Sequence, residues 1–184
     1  MKDTYSMNII PDPIQDQLLL LAAGRGQART IICEVVTRFA LRGSLIVLDG
    51  GNGFDAYRIA RMLRRENTDI DRILKRILLS RVFTCYQMLA LLQGTVADRQ
   101  PKVIMDLLAS FQDDSVDPVE KDFLLHESVN ILSRLSRSAP VIVSICPPTS
   151  PESDFNKMFE QVRDVASEFI LLENVIPPIQ LRLL

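Results

Sequence analysis

The sequence has no tryptophan, one histidine and three cysteines among 184 residues. With His126 the sole imidazole, any mechanism that needs two is excluded. Cys33, Cys85 and Cys146 are widely spaced, odd in number and form no Cys-x-x-Cys pair. They argue against a disulfide framework and against a zinc site, and they suit a reducing cytoplasm. Long apolar runs are missing too: Leu18–Ala23 covers six residues, against the roughly 18 that a membrane span requires. The opening residues, MKDTYSMNIIPDP, bear an early Asp and no apolar signal core, so neither secretion nor membrane association is expected. A basic balance is also absent. The net charge of −2 gives no global nucleic-acid signature.

What charge there is, is polarised. From Arg58 to Arg81 eight basic residues face three acidic ones, and from Asp106 to Glu127 seven acidic residues face Lys121 alone. Arg58, Arg61, Arg65, Arg72, Lys75 and Arg76 make a candidate basic interaction surface. Blocks of this size steer a DNA backbone or a second copy of the chain. The expected assembly is a homodimer in which the acidic region meets the basic one across a two-fold axis.

Apolar periodicity predicts the elements. LLLLAA (18–23) reads as a strand buried on both faces, and the apolar residues from Thr30 to Ala40 recur at helical spacing up to a cap at Gly43. SLIVLD (44–49) is a second strand and GGNGF (50–54) a turn. Helices follow from Asp55 to about Arg64, and from Asp69 with Ile70, Ile73, Leu74 and Ile77 on one face. SRVFTC (80–85) is ambiguous, and YQMLALLQG reads as helix. KVIMD (102–106), PVIVSI (140–145) and FILLE (169–173) are strands. Helices lie between them, from about Pro118 to Arg137 and around Phe155–Ala166. IQLRLL at the end reads as a half-exposed antiparallel strand. This alternation predicts an α/β domain over residues 1–184, with 1–17 as an extension. It has three layers and a mostly parallel central sheet with helices on both faces.

Three strand ends carry candidate chemistry. In a phosphate loop, glycines free backbone N–H groups to wrap phosphates, a lysine reaches the outer phosphates and a hydroxyl ligates magnesium. Here the corresponding residues are Ala23-Gly24-Arg25-Gly26-Gln27-Ala28-Arg29-Thr30. Both obligatory glycines are alanine and the lysine is arginine. The start of a helix still attracts anions, so Gly24, Arg25, Gly26, Gln27, Ala28, Arg29 and Thr30 form the candidate phosphate site. VLDGGNGFD (47–55) matches the Asp-x-Gly-x-Gly of S-adenosylmethionine-dependent methyltransferases. That pattern expects a second strand, ending in an acid, some 20 residues on. KVIMD has the form of a Walker B strand, in which Asp106 and Thr30 are candidate magnesium partners through water.

Together LIVLDGGNGFDAYRIARMLRR, IDRILKRILLSRVFTCYQMLALL, PKVIMDLLASF and APVIVSICPP resemble the core of the RecA/RadA-type recombinase ATPases, from about Leu18 to Glu173. The resemblance implies a RecA-like P-loop fold, ATP with magnesium as cofactor, and work in DNA recombination or repair. The departures bear on activity. The resemblance puts the catalytic glutamate at Gly51, and general-base help is worth about 10²–10⁴-fold. Leu107 follows the Walker B Asp where Ser or Thr is frequent, and Cys146-Pro147 stands near the sensor pair. The second loop is acidic and proline-rich. The expectation is an accessory factor with absent or marginal ATP turnover, acting through a protein partner or itself, with DNA a further candidate. Three readings stay open beside it: a working ATP binder, an interaction protein outside DNA on the same fold, and a methyltransferase.

Overall fold

The computed structural model describes residues 17–66, 69–147 and 153–172. In chain order the elements are β1 (Leu18–Ala23), α1 (Arg25–Arg42), β2 (Leu45–Asp49), α2 (Ala56–Arg65), α3 (Ile70–Leu74), β3 (Ile77–Arg81) and α4 (Cys85–Gly94). Then come β4 (Lys102–Met105), a 3₁₀ turn (Leu107–Phe111), α5 (Pro118–Ser136), β5 (Val141–Ile145), α6 (Ser153–Val165) and β6 (Glu168–Leu172). The strands form one sheet in the order β3-β2-β4-β5-β1-β6, and every pair is parallel. The expected α/β class with a helix-covered parallel sheet is therefore observed. Residues 1–16 and the proposed antiparallel strand at 179–184 lie outside the described residues.

Side-chain alternation along the strands divides the core in two. Leu18 and Leu20 pack with α4, α5 and α6, whereas Leu19 and Leu21 pack with α1, α2 and α3. β1 and β5 are buried along their whole length, which is why both read as unbroken apolar runs. Helix starts follow side-chain capping. Asp55, Asp69, Thr84 and Asp117 each accept a backbone N–H in the first turn of α2, α3, α4 and α5, and Pro118 sits at the first helical turn of α5. Among the described residues no helix is long and apolar enough to cross a membrane.

Two expectations on local structure are corrected. Helix α1 begins at Arg25, five residues before Thr30, so the glycine- and arginine-containing stretch is helix rather than turn. Ile77 belongs to β3 and not to the preceding helix, which ends at Leu74. β3 is an edge strand of five residues, so its apolar run is too short to show a period of its own.

Lys102 opens β4 with its side chain buried, and its Nζ donates to the Asp98 carboxylate at 2.7 Å and to the Asp98 carbonyl at 2.9 Å. The same contact holds the Asp98 carboxyl below its ordinary range. A buried ammonium that loses its anion is costly, whereas an apolar side chain of similar length costs little. Asp98→Ala is therefore expected to lower Tm. Asp98 is 40% exposed, so water screens the pair and the loss is about 1–2 kcal/mol, or roughly 2–8 °C. Lys102→Met should stay within about 1 kcal/mol of wild type. Because the folded pKa is depressed, the Asp98 contribution is present above the unfolded value and is lost as pH falls through the folded one. The Tm gap between wild type and Asp98→Ala should close on acidification.

Candidate functional site at the strand ends

β2 leaves the sheet toward α2 on one face, and β4 leaves it toward the 3₁₀ turn and α5 on the other. The chain parts between these neighbouring strands, which is where parallel α/β sheets hold ligands, beyond the C-terminal strand ends. A cleft of about 200 Å³ lies there. Its walls are Arg25, Ala28, Arg29 and Ile32 of α1, Asp49 and the turn after β2, Met105 at the end of β4 with Asp106 after it, and Ser144 and Cys146 at the end of β5.

Asp49 fixes the turn. Its carboxylate is fully buried, with Oδ1 accepting the Gly53 N–H at 2.8 Å and Oδ2 accepting the Phe54 N–H at 2.9 Å. Both oxygens are thus taken by backbone donors, and the side chain holds the turn in place. The glycines before this clamp answer to β4. The Gly50 N–H continues the ladder to the Met105 carbonyl at 2.9 Å, and a Cβ on Gly50 would stand 2.9 Å from the Asp106 carbonyl. A Cβ on Gly51 would stand 2.7 Å from both Cβ and Oδ2 of Asp106. Asn52 follows at φ 49, a left-handed conformation that asparagine tolerates better than most side chains.

The start of α1 is closed onto that turn. One residue, Gly24, separates β1 from the helix, and its carbonyl accepts the N–H groups of Gln27 and Ala28, each at 2.9 Å. Arg29 Nε donates to the Gly53 carbonyl at 2.6 Å. The Thr30 hydroxyl donates to the Gly26 carbonyl at 3.0 Å and accepts from Arg58 Nη1 at 3.1 Å. The first turn of α1 carries no acidic residue and no side-chain cap. Arg25, Ala28 and Arg29 line the cleft, so the positive end of the helix borders it with Arg25 as an added cation.

Asp106 takes a left-handed backbone, φ 49 and ψ 58, as the chain bends from β4 into the 3₁₀ turn. Its N–H donates to Ser144 Oγ at 2.9 Å, and its Oδ1 accepts the Cys146 N–H at 3.0 Å. Burial pushes the carboxyl above the ordinary Asp range, against the pull of the Cys146 hydrogen bonds and of Arg25, and Asp49 adds a further upward push. The Cys146 thiol is pushed up to about 12 by burial and by the Asp106 carboxylate, to which it hydrogen-bonds. At neutral pH it stays protonated and is no nucleophile.

Of the candidate phosphate residues, Arg25, Ala28 and Arg29 line the cleft; Gly24, Gly26, Gln27 and Thr30 do not. Of the two candidate magnesium partners, Asp106 lines it, while Thr30 is held by Arg58. Among the described residues no group of three or more His, Cys, Asp or Glu side chains is placed to hold a metal. The basic surface is partly structural. Arg76 donates to the carbonyls of Ala40 and Leu41 at the end of α1, and Arg58 binds Thr30 and lies 3.9 Å from Asp55. Arg61, Arg65, Arg72 and Lys75 are exposed. The acid that a methyltransferase pattern needs is missing here too, because the strand beside β2 ends on Arg81. Ser144 and Asn52 escaped the sequence reading; the Asn-Gly pair of the turn was the available signal for the second. No protein-family model matches the sequence, and neither does any curated protein.

Two variants test this geometry. Gly51→Ala must displace the Asp106 carboxylate and is expected to cost about 1–3 kcal/mol in denaturant unfolding. Adding Asp106→Gly removes the obstruction and accepts the left-handed backbone, so the double variant should be more stable than the sum of the single losses. Equal additivity would disprove the contact. Asp106→Asn keeps an acceptor for Cys146, suits the left-handed backbone and removes the buried charge. Because the folded carboxyl titrates above its unfolded value, ionisation costs stability, and the favourable contribution is lost as pH rises through the folded pKa. Asp106→Asn should raise Tm at neutral pH by about 2–4 °C for each kcal/mol gained. The gain should shrink as pH falls toward the unfolded carboxylate value.

Proposed function

We propose that this chain is a RecA/RadA-like protein that binds rather than catalyses: a cytoplasmic, non-hydrolysing accessory factor in DNA recombination or repair. The observation that carries the reading is the entry into α1. A phosphate loop keeps its amides free for phosphate oxygens, but here Gln27 and Ala28 donate to Gly24 inside the helix. The remaining parts agree. Arg29 holds the Gly53 carbonyl in place of an outer phosphate, and the Thr30 oxygen is engaged by Arg58 instead of a metal. Gly51, where the resemblance puts the general base, faces Asp106 at a distance that admits no side chain without movement. These residues do not fit Mg·ATP held as the resemblance implies, and no step of hydrolysis is derived from them.

The RecA-like reading itself is supported by convergence. The rewritten phosphate stretch after β1, the Asp-Gly-Gly turn after β2, KVIMD and the end of PVIVSI all border one cleft, as parts of a single ancestral site would. Exposed Arg61, Arg65, Arg72 and Lys75 supply the basic face for a DNA backbone or an acidic partner. A second reading, retained nucleotide binding, is favoured by the same cleft, with Arg25 at the positive end of α1 and Asp106 opposite.

Thermal-shift titration with Mg·ATP and Mg·ADP separates the two. Millimolar nucleotide should leave Tm unchanged. A saturable rise that disappears in Arg25→Ala would overturn the non-binding reading in favour of the second. The recombination role is tested by low-salt binding to single-stranded DNA and to a recombinase, and the absence of both complexes would sink it.

A further inference from the structure

The charge blocks of the sequence occupy opposite faces of the molecule, each as an outward helix ridge with exposed apolar side chains. α5 is the middle helix of its layer: Glu120 hydrogen-bonds Tyr86 of α4 on one side, and Asp122 binds Gln161 of α6 on the other. Its buried residues, among them Leu124, Leu125, Ser128 and Leu132, face the sheet. The opposite side therefore carries Val119 and Phe123, one turn apart and 79% and 60% exposed, with Glu120, Asp122 and Glu127 flanking them. On the other face α2 buries Ile59 and Leu63, and turns outward Tyr57, 71% exposed, with Arg61, Arg64 and Arg65.

An isolated surface apolar residue needs no explanation, but a Val–Phe pair rimmed by carboxylates and a Tyr ridge rimmed by guanidiniums match each other in shape class and charge. Arginine against an exposed aromatic ring adds a cation–π attraction, and aromatic and arginine side chains are the ones enriched at protein interfaces. We propose that α5 of one copy packs on α2 of a second copy, Val119 and Phe123 against Tyr57 and the arginine ridge. The two ridges lie on opposite sides of the sheet. A closed two-fold pair cannot use both at once, so the contact is head-to-tail, with a free acidic face at one end and a free basic face at the other. The inference rests on the reading of the chain as a protein that works by contact. It stands or falls separately from nucleotide binding, because neither ridge touches the cleft.

Sedimentation velocity on the full chain tests it. Wild type should associate in a concentration-dependent way at about 50 mM salt and dissociate toward monomer at about 500 mM, where screening is strong. Arg61→Glu/Arg65→Glu changes two exposed residues and Asp122→Lys/Glu127→Lys an exposed and a half-buried one, and thermal melts of both variants should confirm folding. Each variant alone should associate at least about tenfold more weakly. Mixing the basic-face variant with native acidic-face protein still leaves one competent ridge pair. The decisive arm is therefore Arg61→Glu/Arg65→Glu plus Phe123→Ala in one chain, which should be monomeric even when wild type is present as partner at equal amount. Wild type that stays monomeric at low salt, or folded variants that associate as wild type does, would overturn the proposal.

Discussion

The buried Asp49 carboxylate is the fixed point of the candidate site. A polar side chain with no exposure survives in a protein interior only when its polar atoms are hydrogen-bonded, and here two backbone N–H groups of one turn do this. The turn is thereby drawn back over the end of β2. That single constraint aims the Gly53 carbonyl at Arg29 and lays Gly51 against Asp106. The register of β2 with β4 supplies the rest, since Asp49 pairs with Met105 and the next residues of both strands are already in contact.

A site closed in this way has consequences for any anionic ligand. Hydrogen bonds to charged groups contribute about 1.5–3 kcal/mol each, and every 1.4 kcal/mol is tenfold in affinity. A phosphate that recruited Arg29 would first have to release it from Gly53. One that used the Thr30 oxygen through a metal would have to displace Arg58. Arg25 alone among the arginines of this helix start has no such duty among the contacts described. The cleft thus retains the electrostatic lure of a helix N-terminus while its geometry is committed to holding α1, the β2 turn and α2 together.

Much of this fold was legible in the pattern of apolar residues. β1, β2, β4 and β5 are continuous apolar runs or nearly so, because a parallel sheet covered on both faces asks for apolar side chains at every position. β3 was not legible. It is short, it lies at the sheet edge, and Ile77 falls in phase with the helix before it, so a period of 3.6 extends over what is strand. The start of α1 departs from its sequence pattern for a different reason. Gly24 and Gly26 signal a turn, yet Arg25, Gln27, Ala28 and Arg29 are good helix formers, and the burial of Ala28 repays the helical register. The site was legible as a set of strand ends, but not as a set of contacts. No spacing in the sequence announces that Gly51 is small because Asp106 stands opposite, since that contact joins residues just beyond the ends of two neighbouring strands.

Asp106 states the central tension of the molecule. A left-handed backbone and a desolvated carboxyl both favour asparagine at this position, and asparagine could still accept the Cys146 N–H. The structural duties of the residue therefore do not require its charge. What a carboxyl adds over an amide is its attraction to Arg25 across the cleft, beside the positive end of α1.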